Sequence, residues 1–273
     1  MEHLQDGHYV RLRNPVYGTY LHADEDGHGV SQGDRRASMN AAWVVHVYLP
    51  PDDYVPYGPY LRLHSAAYGR YLAATNVPAP RGLQVEQRGC EVDPIPWRAI
   101  PTESGDEVYL EHFYSGCLRA DLDTGVSVDN NDSDNPSSPT MHWVVEPILT
   151  TRRMPRLPLP PPVWLPHPPF FNQDELLPRE ITYVWPNVEG ALVNHNEFVF
   201  WGRSVYQLRQ ELARRLPVDV SQFQLAMCLA TRYGRFFPLV VDLPRNQQAL
   251  IVVVVTAGTP AHAALRYADV HAA

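Results

Sequence analysis

The sequence predicts two domains of different class: an all-β β-trefoil over residues 1–150, and an α+β β-grasp domain over 179–260. A proline-rich linker, 151–178, joins them, and a tail, 261–273, follows. Three observations carry this reading. The stretch "VRLRNPVYGTYLHA" from Val10 is rewritten as "LRLHSAAYGRYLAA" from Leu61, 51 positions later. A looser third copy, "EVYLEHFYSGCLRADLDTGVSVDN", starts at Glu107. In the C-terminal part, one helical period stands between runs of strand-like residues.

Each copy opens on strict alternation. Val10 and Leu12 face one way, Arg11 and Arg13 the other; Leu61 and Leu63 oppose Arg62 and His64. A period of two marks a half-buried antiparallel strand. Gly18, Gly69 and Gly116 then stand where a hairpin must turn and a positive φ is cheapest on glycine. The third copy is one residue shorter after its glycine. A second strand enters at Tyr20-Leu21, Tyr71-Leu72 and Cys117-Leu118, and a third runs around Val30, Val85 and Val128. A tryptophan strand closes each copy, at Trp43, Trp97 and Trp143. Four strands in each of three units of about 50 residues describe a β-trefoil, since one unit alone would leave its apolar face in water. Leu12, Leu63, Leu110 and the three tryptophans are the expected core. A three-bladed sheet array or a β-sandwich is the rival architecture.

The segment "MPRLPLPPPVWLPHPPF" from Met154 holds eight prolines in 17 residues, which favours an extended spacer. Within it, "RRMPRLP" fits the Arg-x-x-Pro-x-x-Pro form that SH3-type grooves read. Beyond the spacer, "EITYVWP" from Glu180 and "NEFVFWG" from Asn196 read as a strand pair. "SVYQLRQELARRL" from Ser204 reads as a helix, with Ser204 and Gln207 placed as a capping box. Val205, Leu208, Leu212 and Leu216 mark its apolar face, and Pro217 ends it. Strands follow at "FQLAMCLA", "PLVVDLP" and "ALIVVVVT". The order β-β-α-β-β-β is that of a β-grasp.

The repeat openings and trailing tryptophans resemble the plant family called domain of unknown function 569, which is grouped with fascin-like, actin-cross-linking-type trefoils. The second domain resembles the ubiquitin-like domain that accompanies this trefoil. The resemblance implies a fold and brings no settled activity with it. It does not carry conjugation across: the sequence closes on "RYADVHAA" without a diglycine, and all 22 basic residues are arginine, leaving no lysine to accept a chain.

Charge divides the chain. Residues 1–150 carry 10 arginines against 21 acids, a balance of −11, whereas 179–273 carry 9 against 7. An acidic trefoil is a poor nucleic-acid binder, because phosphate binding needs clustered cations. The longest apolar run, near Ala249, is too short for a membrane span. The absence of a basic-then-apolar leader and three scattered cysteines (Cys90, Cys117 and Cys228) suit the cytoplasm or nucleus.

The sequence contains none of the familiar nucleophile, phosphate-loop or metalloprotease motifs, so the expectation is a non-enzyme without cofactor or metal. His22, His28 and His46 lack ligand spacing. The acidic run from Asp129 fails the calcium-loop pattern at Asp134 and Thr140. Cys117 reads as a buried substitute in a strand. The leading expectation is a scaffold that presents two binding modules to protein partners. Actin-filament binding is an alternative that the −11 trefoil disfavours. Carbohydrate binding is another, though Ala41, Ile95 and Met141 stand where ricin-type lectins place glutamine. Candidate binding residues are Arg11, Arg13, Arg62, His64 and Arg70 on the trefoil. On the second domain they are Arg203, Arg209, Arg214 and Arg215, a basic face around the helix.

Overall fold

The computed structural model describes residues 2–48, 59–89, 96–113, 115–129, 138–160, 177–186, 194–216, 221–230 and 235–272. They fall into two units, Met1–Thr150 with Ala268–Ala273, and Thr151–Tyr267.

Among the described residues, the main sheet of the first unit has twelve strands, four per repeat: β1 (Tyr9–Arg13), β2 (Tyr20–Ala23), β3 (Val30–Gly33) and β4 (Trp43–Tyr48); β5 (Tyr60–Ser65), β6 (Tyr71–Pro78), β7 (Leu83–Arg88) and β8 (Trp97–Pro101); β9 (Glu107–His112), β10 (Gly116–Asp121), β11 (Gly125–Asp129) and β12 (His142–Ile148). The first and last strands of the repeats pair in a closed antiparallel ring, β1–β4–β5–β8–β9–β12 and back to β1. Closure removes every sheet edge from the barrel. The hairpins β2–β3, β6–β7 and β10–β11 form the cap. This is a β-trefoil.

Its core repeats three times at atomic detail. Trp43, Trp97 and Trp143 are fully buried, and each indole Nε1–H donates to a leucine carbonyl one repeat-hairpin back: Leu21 at 3.0 Å, Leu72 at 2.9 Å and Leu118 at 3.0 Å. An indole N–H needs such an acceptor once it leaves water. Leu12, Leu63 and Leu110 are buried to the same degree. Strand register revises one detail: Ala23, Ala74 and Ala120 face Val30, Val85 and Val126, so Val126 is the third-copy equivalent and not Val128.

β13 (Thr150–Thr151) and β19 (Tyr267–Ala268) straddle the two points where the chain passes between units. Between those points lie β14 (Pro178–Trp185), β15 (Asn194–Trp201), α1 (Val205–Arg215), β16 (Leu225–Ala230), β17 (Phe236–Pro238), β18 (Leu250–Thr256) and α2 (Pro260–Ala264). The sheet order is β15-β14-β18-β16-β17, with β14 and β18 parallel and the other pairs antiparallel. That central parallel pair turns a list of elements into a ubiquitin-like β-grasp. The Ser204 hydroxyl accepts from Gln207 N–H and starts α1, whose Val205, Leu208 and Leu212 are buried. Tyr183 donates to Arg215 O at 3.5 Å, which places α1 over the Ile181–Tyr183 face of the sheet.

Three expectations need correction. The expected tail 261–273 is structured: Thr259 caps α2, and 268–272 belong to the trefoil unit. The strand expected at "PLVVDLP" is short. Its apolar Leu239, Val240 and Leu243 are buried; Leu239 N–H still donates to Met227 O at 2.8 Å, and beyond it Arg203 donates to Leu243 O and Asp242 accepts from Val205 N–H. Of the linker, 152–160 runs without helix or ladder as expected, but Leu157 is buried and Met154 Sδ lies 4.0 Å from Arg209 Nη1. The rest of the proline-rich stretch, 161–176, lies outside the described residues, as do Cys90, Pro217 and most of the acidic run from Asp129.

Candidate interaction surfaces

The trefoil candidates do not form one solvated face. Arg11 is 1% exposed. Its Nε donates to Arg36 O at 2.8 Å and its Nη2 to Val270 O at 2.7 Å. Arg13 is half-buried and donates to Glu146 Oε1 at 2.8 Å, while Arg36 reaches Glu146 Oε2 at 3.3 Å. The polar ladder continues across the outer barrel. His142 lies between Glu107 (2.7 Å) and Tyr109 (2.8 Å), and Arg98 pairs with Glu111. Half-buried pairs of this kind order the strands more than they attract partners.

Arg62 and His64 sit elsewhere, on β5, all six residues of which are buried. The Arg62 guanidinium lies 4.0 Å over the Tyr48 ring. The His64 ring centroid is 3.9 Å from that of Tyr71 and 5.8 Å from that of His46. Arg70 is half-buried and donates to Gln87 O. Arg11, Arg62 and His64 are therefore corrected from outward recognition residues to interior ones. Alternation separates two faces of a strand but does not say that either face is wet, and long cationic side chains stack or bond where cover exists.

The basic face expected around α1 is also dispersed. Arg209 is 5% exposed, set between the Tyr206 and Phe223 rings at 5.8 and 5.9 Å, and burial lowers its pKa. Arg203 donates to Leu243 O at 2.7 Å. Arg214 and Arg215 both pair with Glu211, and Arg215 also lies 4.2 Å from the Phe198 ring centroid. A cation unremarked in the sequence, Arg179, is 2% exposed. It donates to Pro244 O at 2.7 Å, to Gln248 O at 3.2 Å and to Asn246 O, and burial with nearby Arg203 brings its pKa down to about 10. It fastens a loop.

What the second unit does expose is apolar. Paired strand residues share a face, so Val199, opposite Glu180, and Ile251, opposite Thr182, lie on the side of the sheet away from α1. Trp201, opposite Pro178, lies on the same side. Trp201 is 61% exposed, and Val199 and Ile251 are each 56% exposed. The sequence hint was present in "FVFW" at the strand end: alternate apolar residues there exceed what one core face can absorb. On the trefoil, a recess of about 340 Å³ is lined by Glu2, His3, Leu4, Gly105, Asp106, Val108 and Val145.

Residues 1–121 match the family described as a β-trefoil domain of unknown function, DUF569. Residues 177–255 match the DUF569-associated ubiquitin-like domain. No curated protein matches the chain. Among solved structures, a ricin B-like lectin from Macrolepiota procera in complex with lactose is 16% identical, with a TM-score of 0.42 over 52% of this chain and 96% of its own. A Caenorhabditis elegans protein of unknown function is 16% identical, with a TM-score of 0.43 over 51% and 93%. The SDF2-like protein from Arabidopsis thaliana is 18% identical, with a TM-score of 0.42 over 52% and 94%.

Proposed function

We propose that this chain, which carries the DUF569 β-trefoil and its associated ubiquitin-like domain, is a non-enzymatic protein-interaction scaffold, and that the ubiquitin-like unit docks a protein partner through its open sheet face. The observation that supports this reading is the exposed trio of Trp201, Val199 and Ile251 on the side of the sheet away from α1. Tryptophan is the residue type most enriched among interface hot spots, and a neighbouring β-branched pair supplies apolar area around it. The unit acts as a docking surface and not as a chain-forming tag, because the sequence has no lysine on which an isopeptide chain could grow.

The test is comparative partner capture with the full chain. Wild type retains a specific partner set, and Trp201→Glu loses it while the thermal unfolding midpoint stays within a few degrees, since the residue is at the surface. Retention of the same partners by Trp201→Glu removes the support for this face. Filament co-sedimentation and a glycan array are run alongside. Saturable actin or glycan binding by the wild-type chain replaces the scaffold reading with one of those alternatives.

A further inference from the structure

Residues 268–272 form a strap on the trefoil. The hydrogen bonds that seat it run to backbone atoms: Arg11 Nη2 donates to Val270 O at 2.7 Å, Asp269 N–H donates to Leu149 O at 2.8 Å, and Arg36 Nη1 reaches Ala272 O at 3.4 Å. The strap closes on itself with a bond from Ala272 N–H to Asp269 O. Its side chains alternate: Ala268 and Val270 are buried, Asp269 is half-buried and His271 is exposed. The slot therefore recognises the main chain of a strand end that closes in a turn over Asp269–Ala272, with small apolar side chains two residues apart, Ala268 and Val270, turned inward.

The slot is also partly organised by groups outside the strap. Arg36 O accepts from Arg11 Nε and so aims the far end of the guanidinium, while Glu146 holds Arg36 and Arg13 beside it. The strap lies outside the tryptophan core, and none of the three Trp-to-Leu bonds involves it. Its seating bonds use Arg11 Nη2, Arg36 Nη1 and Leu149 O, groups apart from the three Trp-to-Leu bonds.

We infer that this slot is a peptide-binding site of the trefoil, filled in cis by the chain's own 268–272 and able to accept the same segment from a second copy of the chain. The strap's alternation of Ala268 and Val270 is the pattern that the slot fits, so a second copy supplies a matched ligand. Covalent tethering gives the cis strap a high effective concentration, which keeps the slot closed to trans ligands until the strap leaves. The inference does not depend on the sheet face of the ubiquitin-like unit.

The experiment is complementation between two full-length variants. Val270→Asp puts a charge on a buried side chain, which frees that chain's strap and leaves its slot intact. Arg11→Met keeps side-chain volume but removes the donor, which disables the slot and leaves the strap intact. An equimolar mixture is expected to associate in sedimentation velocity, with each variant alone sedimenting as wild type does. A fluorescein-labelled peptide of residues 266–273 is expected to bind Val270→Asp saturably, at least about tenfold more tightly than wild type. It should not bind the Val270→Asp, Arg11→Met double variant. Absence of both mixture association and peptide binding, with Val270→Asp melting cooperatively, overturns the inference. So does peptide binding that persists in the double variant. Should Arg11→Met fail to fold, competition decides: unlabelled wild-type peptide must displace the label from Val270→Asp, and a peptide carrying the same Val-to-Asp change must not.

Discussion

His112 ends β9 with its ring edge-on to Trp97, centroids 5.0 Å apart, and its Nδ1 3.0 Å from the Ser115 hydroxyl. Burial, with Arg88 nearby, pushes its pKa down from 6.5 to about 4. A histidine held neutral in the native state takes up its proton more readily when unfolded, so acid favours unfolding. Its contribution is fully present above pH 6.5 and is lost as pH falls from 6.5 towards 4. The loss across that window is on the order of 3 kcal/mol. Denaturant titrations from pH 7.5 to 4 should show this decline in wild type and a shallower one in His112→Gln. Equal slopes in the two proteins would mean that His112 is already solvated. At the same scale, Arg209 shows why single residues mislead: an arginine off the apolar stripe of α1 has no sequence mark that distinguishes a solvated side chain from one enclosed by Tyr206, Phe223 and Met154.

The hairpins of the cap are joined by two glutamine seams and a third of a different kind. Gln32 of β3 donates to Asp121 O and Gly125 O of the third repeat, at 2.8 and 3.3 Å. Gln87 of β7 donates to Asp24 O and Gly29 O of the first, at 3.2 and 2.7 Å. In the third repeat Val128 holds the position of those glutamines. That seam closes by backbone approach: a Cβ on Gly82 would stand 1.9 Å from Val128 O, and its φ is +69°. Gly105 has a similar φ of +78° but open space around it. Gly105→Ala should therefore cost only the left-handed strain, about 1–2 kcal/mol. Gly82→Ala adds steric displacement of a paired strand and should cost about 3 kcal/mol or more. Paired thermal melts check the order, and equal costs would contradict the close seam. Element boundaries within each repeat were legible in the sequence because alternation and turn glycines act locally. The glutamine seams were not, since they join residues 58 or more apart through side chains that look like ordinary surface glutamines.

Across the whole molecule, the repeat periodicity predicted the trefoil and the helix-in-strands order predicted the β-grasp, and both are present. The linear plan of domain, linker, domain and tail was incomplete. The chain returns to the first unit after the second, so the ubiquitin-like unit is an insertion ahead of the trefoil's last segment. Nothing in "RYADVHAA" announces that return, because its seating bonds use backbone carbonyls and amides that every sequence possesses. The same limit applied to the binding surfaces. Arginines drew attention as charges, whereas the structure uses them to fasten loops and strands, and exposes Trp201 instead. All of this presumes one barrel core shared by three repeats. Deuterium exchange of the six indole N–H groups, with signals assigned by single Trp→Phe variants, tests that presumption most directly. Trp43, Trp97 and Trp143 should exchange only through global unfolding, with matching protection, while Trp201 exchanges within the dead time. Rapid or clearly unequal exchange among the three core indoles would contradict the shared core.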